Sequence, residues 1–482
     1  MNKALVAAVA AMLLAPAVAL GGARPSFTPS DPLAPRQYYL TQDRAFDAFD
    51  SSTLPALAGV RVAVIDSGID GSHPEFKGRV AATRSFVGGS GTTDDEGHGT
   101  FVAGEIAAAI NDQGIAGIAF PAQLLVAKIA RADASISVRD EAAAIRWAVK
   151  HGARVINLSL GGLRHPFHGD DSYSQVEANA IDYAYRRGAV LVAAVGNADD
   201  APRTPWPWAS YPAALSHVIG VSALTPSGNV PPFSNRDRIY NDISAPGQNI
   251  FSTLPLALTK ERPSCADQGY SDCGPDEFVH ASGTSFAAPQ VTAAAALLLA
   301  LKPALRPDQV SNILERTAND VNASDGCDEC PTGRDQYSGW GRLDIAKAIA
   351  ALNGPLPPAD RLEPNDDAGS HAAQLRASVG RVKATLDFWD DPIDVYRVRL
   401  VAGKRLSATL RGPSSATTRL LLWRPGTVRV NDLRGQRFRA AQSIGPGSAH
   451  RLTFRVPTTG WYYVEAKITS RGAGAYTLTL TR

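Results

Sequence analysis

Apolar residues in this chain follow two periods, and the change between them divides it. From about residue 56 to 352, short aliphatic runs alternate with segments whose apolar positions recur every three or four residues. The runs are Val60 to Ile65, Arg154 to Leu160, Ala189 to Val195 and His217 to Ala223. They are apolar on nearly every position, as parallel strands covered on both faces require. Val138, Ala142, Ile145 and Val149 trace one face of a helix that Gly152 closes, and Val176, Ala180, Ile181 and Ala184 trace another that Gly188 closes. Strands and helices in alternation predict an α/β fold on a parallel sheet.

Beyond residue 352 the helical period stops. Gly354-Pro-Leu-Pro-Pro358 reads as a stiff linker at 353–360, and period two follows. Tyr396, Val398 and Leu400 alternate with Arg397 and Arg399; Leu452, Phe454 and Val456 repeat the pattern, as do Tyr462, Val464, Ala466 and Ile468, and then Tyr476, Leu478 and Leu480. Residues 361–482 are therefore expected to form an all-β domain, a sandwich.

The start of the chain has another character. Lys3 precedes an apolar run from Ala4 to Leu20 that ends near Ala17-Val18-Ala19. This is the pattern of a secretory signal peptide at 1–19, too short and too Pro-broken for a membrane anchor, with residues 20–55 left as an N-terminal segment or short propeptide. A secreted, extracellular protein with no stable membrane anchor is the expectation. The apolar stretch Val291 to Leu301 is short for a span and reads as a buried helix. The four cysteines, Cys265, Cys273, Cys327 and Cys330, suit an oxidising compartment. Of three connectivities, the local bridges Cys265–Cys273 and Cys327–Cys330 are the simplest. Cys327-Asp-Glu-Cys330 also has the spacing of half a zinc site or a redox pair, but neither a second half nor a strand-to-helix context accompanies it. A net charge of +2, with no long basic run, gives no reason to expect nucleic acid as a partner.

Four polar residues stand where chemistry collects in α/β sheets, outside strand ends and at helix starts. Asp66 ends the first buried run, where it would serve either as a helix cap or as a functional carboxylate. His98, between Gly97 and Gly99, opens the apolar segment Phe101 to Ile110, and its small neighbours admit close approach to the ring. Asn197 follows the run Ala189 to Val195; its amide suits either a loop contact or a developing oxyanion. Ser285 precedes a long apolar helix with Pro289 at an early position, as a cap or as a nucleophile in need of a base.

Taken in order, Asp, His, Asn and Ser resemble the subtilisin-like serine proteases. The resemblance rests on Val-Ile-Asp66-Ser-Gly-Ile-Asp, Gly-His98-Gly-Thr, Asn157-Leu-Ser-Leu-Gly161, Val-Gly-Asn197 and Gly-Thr-Ser285-Phe-Ala-Ala-Pro, and covers most of residues 56–352. It implies a secreted serine endopeptidase of broad specificity acting on proteins or peptides through an acyl-enzyme. Ser285 is implied as nucleophile, His98 as base and Asp66 as its supporting carboxylate, with an oxyanion hole from Asn197 and the Ser285 N–H. Ser159, Leu160 and Gly161 correspond to the segment that pairs with an extended substrate, and Leu160, Gly161, Ala194 and Gly196 to the walls of the primary pocket, with Ser210 at its base. The loop from Asp199 to Trp208 is expected to narrow that pocket. No cofactor is implied for the chemistry. A structural calcium is, through Glu75 and the loop Asn111-Asp-Gln-Gly-Ile115, with no amino-terminal ligand identifiable. A monomer is expected.

Two departures stand out. Phe286 follows the nucleophile where many relatives carry Met, which removes an oxidisable thioether from beside it. Residues 256–280, with Cys265 and Cys273, are longer than the family minimum. The region from Arg361-Leu-Glu-Pro-Asn-Asp366 to Ala475-Tyr-Thr-Leu-Thr-Leu480 resembles the bacterial pre-peptidase C-terminal domain, a β-sandwich attached to secreted peptidases, and holds no catalytic constellation of its own.

Overall fold

The computed structural model describes residues 26–49, 51–167, 169–259, 277–356, 362–376 and 380–482. The signal peptide, the Cys265–Cys273 pair and the second half of the Pro-rich linker, 357–360, lie outside the described residues.

Seven strands, β1 (Val60–Asp66), β2 (Val80–Ser85), β3 (Ala122–Lys128), β4 (Val155–Leu158), β5 (Val190–Ala194), β6 (Val218–Leu224) and β7 (Ile243–Pro246), form one parallel sheet in the order β2-β3-β1-β4-β5-β6-β7. Both faces are covered. Val60, Val62 and Val64 of β1 enter one apolar core, Ala63 and Ile65 the other. Besides the short α1 (Tyr38–Gln42), the first core takes α2 (His98–Ala107) and α5 (Ala288–Leu301), and the second takes α3 (Val138–Lys150) and α4 (Gln175–Tyr185). Of the four runs read as strands, all are strands; β2, β3 and β7 join them.

The helix ends follow the expected chemistry. The Ser137 and Ser174 hydroxyls cap α3 and α4, and Gly152 and Gly188 just past them take φ of +81° and +82°. One expectation fails on α4. Val176 is 49% exposed, and Glu177 is buried in its place. The cause is Glu141 on α3, which interacts with Glu177 across the helix pair; burial pushes both carboxyls up, so the pair enters the core with protons to share. Thr284–Leu301 is apolar enough to cross a membrane by length and composition, yet 89% of it is buried within the protein, as the central helix of the core.

Residues 26–49 are built into this unit. Tyr39, Phe46 and Phe49 are buried in the first core, and the Tyr39 hydroxyl donates to the Phe251 carbonyl at 3.3 Å. Cys327 and Cys330 form a disulfide.

The C-terminal region is a sandwich of a five-stranded and a four-stranded sheet. Tyr396, Val398 and Leu400 point into its core while Arg399 is exposed, the alternation that the period of two requires. This sandwich is docked against the parallel sheet's domain. Arg316 donates to Asp387 at 2.7 Å and Asn312 to Asp390 at 2.9 Å; Trp340 stacks on Trp389 at 5.7 Å, and His371 pairs with Asp182.

Candidate active site

The sheet order reverses at β1, whose neighbours β3 and β4 lie on opposite sides, and the crevice outside the carboxyl ends of β1, β4 and β5 is where an open α/β sheet places its ligands. Asp66 is the last residue of β1. Its Oδ1 accepts from the Ser67 N–H at 2.7 Å and lies 2.8 Å from His98 Nδ1, the first residue of α2. Glycine is needed beside that histidine for a steric reason. A Cβ at Gly99 would stand 2.3 Å from the Gly68 carbonyl and 3.1 Å from Asp66 Cβ, so only glycine lets α2 come close enough to β1 for the His98–Asp66 bond.

The helix that carries His98 has no side-chain cap at Gly97; Asp94 satisfies its first turn instead. Asp94 accepts from the Gly97 N–H at 2.9 Å, the Thr100 N–H at 2.8 Å and the Thr100 hydroxyl at 2.6 Å. Ser67 links this cap to β1, donating to Asp94 at 2.8 Å and accepting from the Gly99 N–H at 2.8 Å. Sequence reasoning missed both residues. Asp94, four positions before His98 in a stretch of Asp and Glu, is the capping type that signals a helix start.

Burial disfavours charge on His98, but the Asp66 carboxylate, by charge and hydrogen bond, outweighs it and holds the imidazole above its ordinary pKa; Asp94 and Glu96 act in the same direction. Glu96 is itself pushed up to about 7, by burial first and then by the charges of Asp66 and Asp94.

Ser285 sits in a tight turn, Thr284–Phe286, that leads into α5, with Pro289 in the helix's first positions. Its hydroxyl donates to the Ser159 carbonyl at 3.3 Å. Ser159, immediately after β4, is held by a chain of hydrogen bonds. Thr292 of α5 donates to Asn157 Oδ1 at 2.9 Å, Asn157 Nδ2 donates to Ser159 Oγ at 2.9 Å, and Ser159 Oγ donates to the Ser285 carbonyl at 2.7 Å. The Ser159 side chain is thus committed to the turn that carries Ser285, which leaves its main chain and that of Leu160 and Gly161 as the edge.

Asn197 is fixed from the other side. The Thr284 N–H donates to Asn197 Oδ1 at 3.0 Å and the Thr284 hydroxyl does so at 2.9 Å. A backbone N–H can only donate, so the atom facing it is the amide oxygen, and Nδ2 is the donor end turned the other way. Phe286 is buried, its ring 5.3 Å from that of His98 and 4.5 Å from that of Phe101.

Gly161, Gly196 and Ser210 come together. A Cβ at Gly196, whose φ is +93°, would stand 2.3 Å from Ser210 Oγ, and one at Gly161 3.0 Å from Ser210 Cβ. The Ser210 N–H donates to the Val195 carbonyl at 2.8 Å, next to buried Ala194, and Ser210 Oγ accepts from Asn235 at 3.3 Å. Trp206, in the loop from Asp199 to Trp208, lies against Arg164 and His165. It is buried, donates to the Arg164 carbonyl at 3.1 Å and stacks on His165 at 5.4 Å, because the Pro-rich loop folds back onto Arg164.

Glu75 and Asn111 are brought to one loop, with Asp31 from the N-terminal segment. Asp31 accepts from the Asn111 N–H at 2.8 Å, and Glu75 from the Ile115 N–H at 3.1 Å. Each carboxylate keeps a second oxygen, Asp31 Oδ2 and Glu75 Oε2, that is buried with no hydrogen-bond partner. Burial pushes both pKa values up, Glu75 to about 7, and the Asp31 charge adds to the shift of Glu75. Two buried carboxylates with orphaned oxygens beside a loop of amide and carbonyl oxygens fit a hard cation. Asp31 escaped sequence reasoning because the segment around it has no period to place it.

The sequence model of the subtilase family matches residues 58–341. Fervidolysin from Fervidobacterium pennivorans is 35% identical over 315 residues, which is 61% of this chain and 41% of fervidolysin, so the chain spans less than half of that relative's length. Thermitase from Thermoactinomyces vulgaris is 32% identical over 331 residues, 67% of this chain and 99% of thermitase. Among solved structures, the crystal structure of a lanthipeptide protease aligns with a TM-score of 0.55 at 22% identity, covering 68% of this chain and 99% of that one, a likeness of fold.

Proposed function

Because the chain belongs to the subtilase family, serine endopeptidases of the subtilisin type whose chemistry needs no cofactor, we propose that it is secreted and cleaves proteins through Ser285, His98 and Asp66. The observation that supports this most directly is the 2.8 Å contact of His98 Nδ1 with Asp66 Oδ1. It supports a tautomer in which Nδ1–H donates to the carboxylate, with Nε2 as the base. When substrate enters, the Ser285 hydroxyl turns from the Ser159 carbonyl, gives its proton to Nε2, and Oγ adds to the scissile carbonyl. The oxyanion takes hydrogen bonds from Asn197 Nδ2 and from the Ser285 N–H, an amide in the first turn of a helix, where the fold supplies it no intrahelical acceptor. The imidazolium then protonates the leaving amine, and water repeats the sequence to release the acyl group.

The substrate lies extended along Ser159, Leu160 and Gly161, adding a strand whose main-chain bonds are indifferent to sequence. Its side chain enters between Leu160, Gly161, Ala194 and Gly196 toward Ser210. These residues are small or apolar and include no carboxylate, so uncharged apolar or aromatic side chains are preferred and specificity is broad. A fluorophosphonate, which reacts with activated serines, tests the reading. It should label Ser285, mapped by mass spectrometry of the secreted protein, and abolish casein hydrolysis in proportion. Casein cleavage that continues with Ser285 fully labelled would overturn it.

Asp31, Glu75 and Asn111 are proposed to hold a structural calcium, which supplies positive charge to two buried carboxylates and takes no part in the reaction. The linkage has a definite sign. Glu75 ionises near 7 when folded and in the ordinary carboxylate range when unfolded, so in the absence of a cation the fold loses stability as pH rises through that window. In chelator, Glu75→Gln should therefore raise the melting temperature at pH 8.5 by several degrees and change it little at pH 5. Calcium should raise the melting temperature of the wild type more than that of the variant. An equal gain in both would show that Glu75 holds no cation.

A further inference from the structure

The segment Arg429-Val430-Asn431 of the C-terminal sandwich grips the strand of chain that carries Ser210. Arg429 is 5% exposed, and its Nη1 donates to the Tyr211 hydroxyl. Its guanidinium lies 4.0 Å from the centre of the Tyr173 ring and 5.1 Å from that of Tyr211, and Nη2 is 3.6 Å from Asp171. Tyr211 in turn is paired to the pocket wall, exchanging two main-chain bonds with Gly162, at 2.8 and 2.9 Å. A second connection runs beside the first. The Asn431 carbonyl accepts from Arg164 Nη2 at 2.9 Å, Arg164 Nη1 donates to Asp237 at 2.7 Å, and Asp237 accepts from the Ala209 N–H at 3.0 Å. Residues 209 and 211, on either side of Ser210, are thus both tied through buried polar contacts to the sandwich.

Such an arrangement is more than a tether. Arg316, Asn312, Trp340 and Asp182 already hold the two units together elsewhere. A buried arginine is costly unless its charge is compensated; Arg429 leaves Nε without a partner, and the rest of its planar fork meets one hydroxyl, two ring faces and a carboxylate at a single geometry. Arg429 thus adds a constraint from the sandwich on the position of Tyr211, and through it on that of Ser210. We propose that Arg429 is a positioning residue for the primary specificity pocket, so that the C-terminal sandwich sets how well the enzyme accepts large side chains. This inference rests on the assignment of Ser210, Gly161 and Gly196 to that pocket.

The test is a set of peptide anilides that differ only in the residue before the cleaved bond, Ala, Leu or Phe, hydrolysed by the full chain. Arg429→Met keeps the length of the side chain and removes its donors. It should raise the KM for Phe relative to Ala roughly fivefold, less than the full worth of a charge-assisted hydrogen bond because the bond positions Tyr211 and does not touch substrate, with kcat nearly constant. Arg429→Lys should fall between, and Arg434→Gln, which loses a 3.2 Å contact to Asp171 at the same interface but none to Tyr211, should keep the wild-type ratio. Melting temperatures of all variants separate a loosened pocket from a weakened fold. An unchanged Phe-to-Ala ratio in Arg429→Met, or an equal change in Arg434→Gln, overturns the inference. Ser210→Leu distinguishes the two levels of the argument. If it alters the ratio while Arg429→Met does not, the pocket stands and the role of Arg429 falls; if it leaves the ratio untouched, the pocket assignment itself fails and the inference with it.

Discussion

Replacing Ser285 by alanine is expected to lower kcat by on the order of a millionfold, and replacing His98, alone or together with Ser285, by about as much and no more, which is the scale known for the same replacements in subtilisin itself. The non-additivity follows from the site. The imidazole, held at Nδ1 by Asp66, has no proton to take once Oγ is gone, and Oγ without Nε2 remains a protonated alcohol. Each loss removes the same step. What survives in the proposed mechanism is the oxyanion hole, made of the Asn197 amide and the Ser285 main-chain N–H, and the extended-substrate edge, none of which is formed by the two replaced side chains. The measurement is burst and steady-state kinetics with one anilide substrate across the two single variants and the double. A double variant far below either single would mean that the two side chains act independently, which would contradict the shared proton.

Asn197→Asp should cost on the order of a hundred- to a thousandfold in kcat or more, with KM little changed, again a scale known from subtilisin's oxyanion asparagine. The substitution is chosen for what it preserves. Aspartate still accepts from the Thr284 N–H and hydroxyl, now at 3.0 and 2.9 Å, so the turn that carries Ser285 keeps its anchor. It replaces the outward N–H by a carboxylate oxygen, which repels the charge that develops on the carbonyl. Asn197→Leu removes donor and acceptor alike, so its loss of activity should be accompanied by a fall in melting temperature that the aspartate variant escapes. Full activity in Asn197→Asp would show that the amide donates to nothing in the transition state.

The four candidate residues were legible because each stands at the end or the start of a strongly patterned element. β1, β4 and β5 are apolar on consecutive positions, and a polar residue at such an end has few structural reasons to be there. The strands missed have different weaknesses. β2 has no fully buried position, and β7, though buried throughout, is only four residues long. Ser67 and Thr292 were invisible for a different reason. They act on residues that act on substrate, and nothing in a sequence marks a second-order hydrogen bond. Val176 misled because an apolar residue at helical spacing is an argument only while no partner overrides it, and Glu177 had one in Glu141. The period of two located the sandwich, but no periodicity could disclose that it is docked, since the docking contacts are isolated polar residues, Arg429, Asp387 and His371 among them.

The order of the parallel sheet also bears on how long the molecule lasts. β1 is complete only when Leu124 of β3 and Val155 of β4 have both been set beside Val62, and the helix that closes the core beneath it begins at Ala288. Contacts so distant along the chain slow folding, and at a given stability, where the ratio of the two rates is fixed, they slow unfolding with it. An enzyme with the proposed activity works among its own active copies, each able to cut any neighbour that opens. Under those conditions survival is governed by the rate of opening rather than by the equilibrium. A topology that makes folding slow therefore also lengthens the working life of each molecule among its siblings.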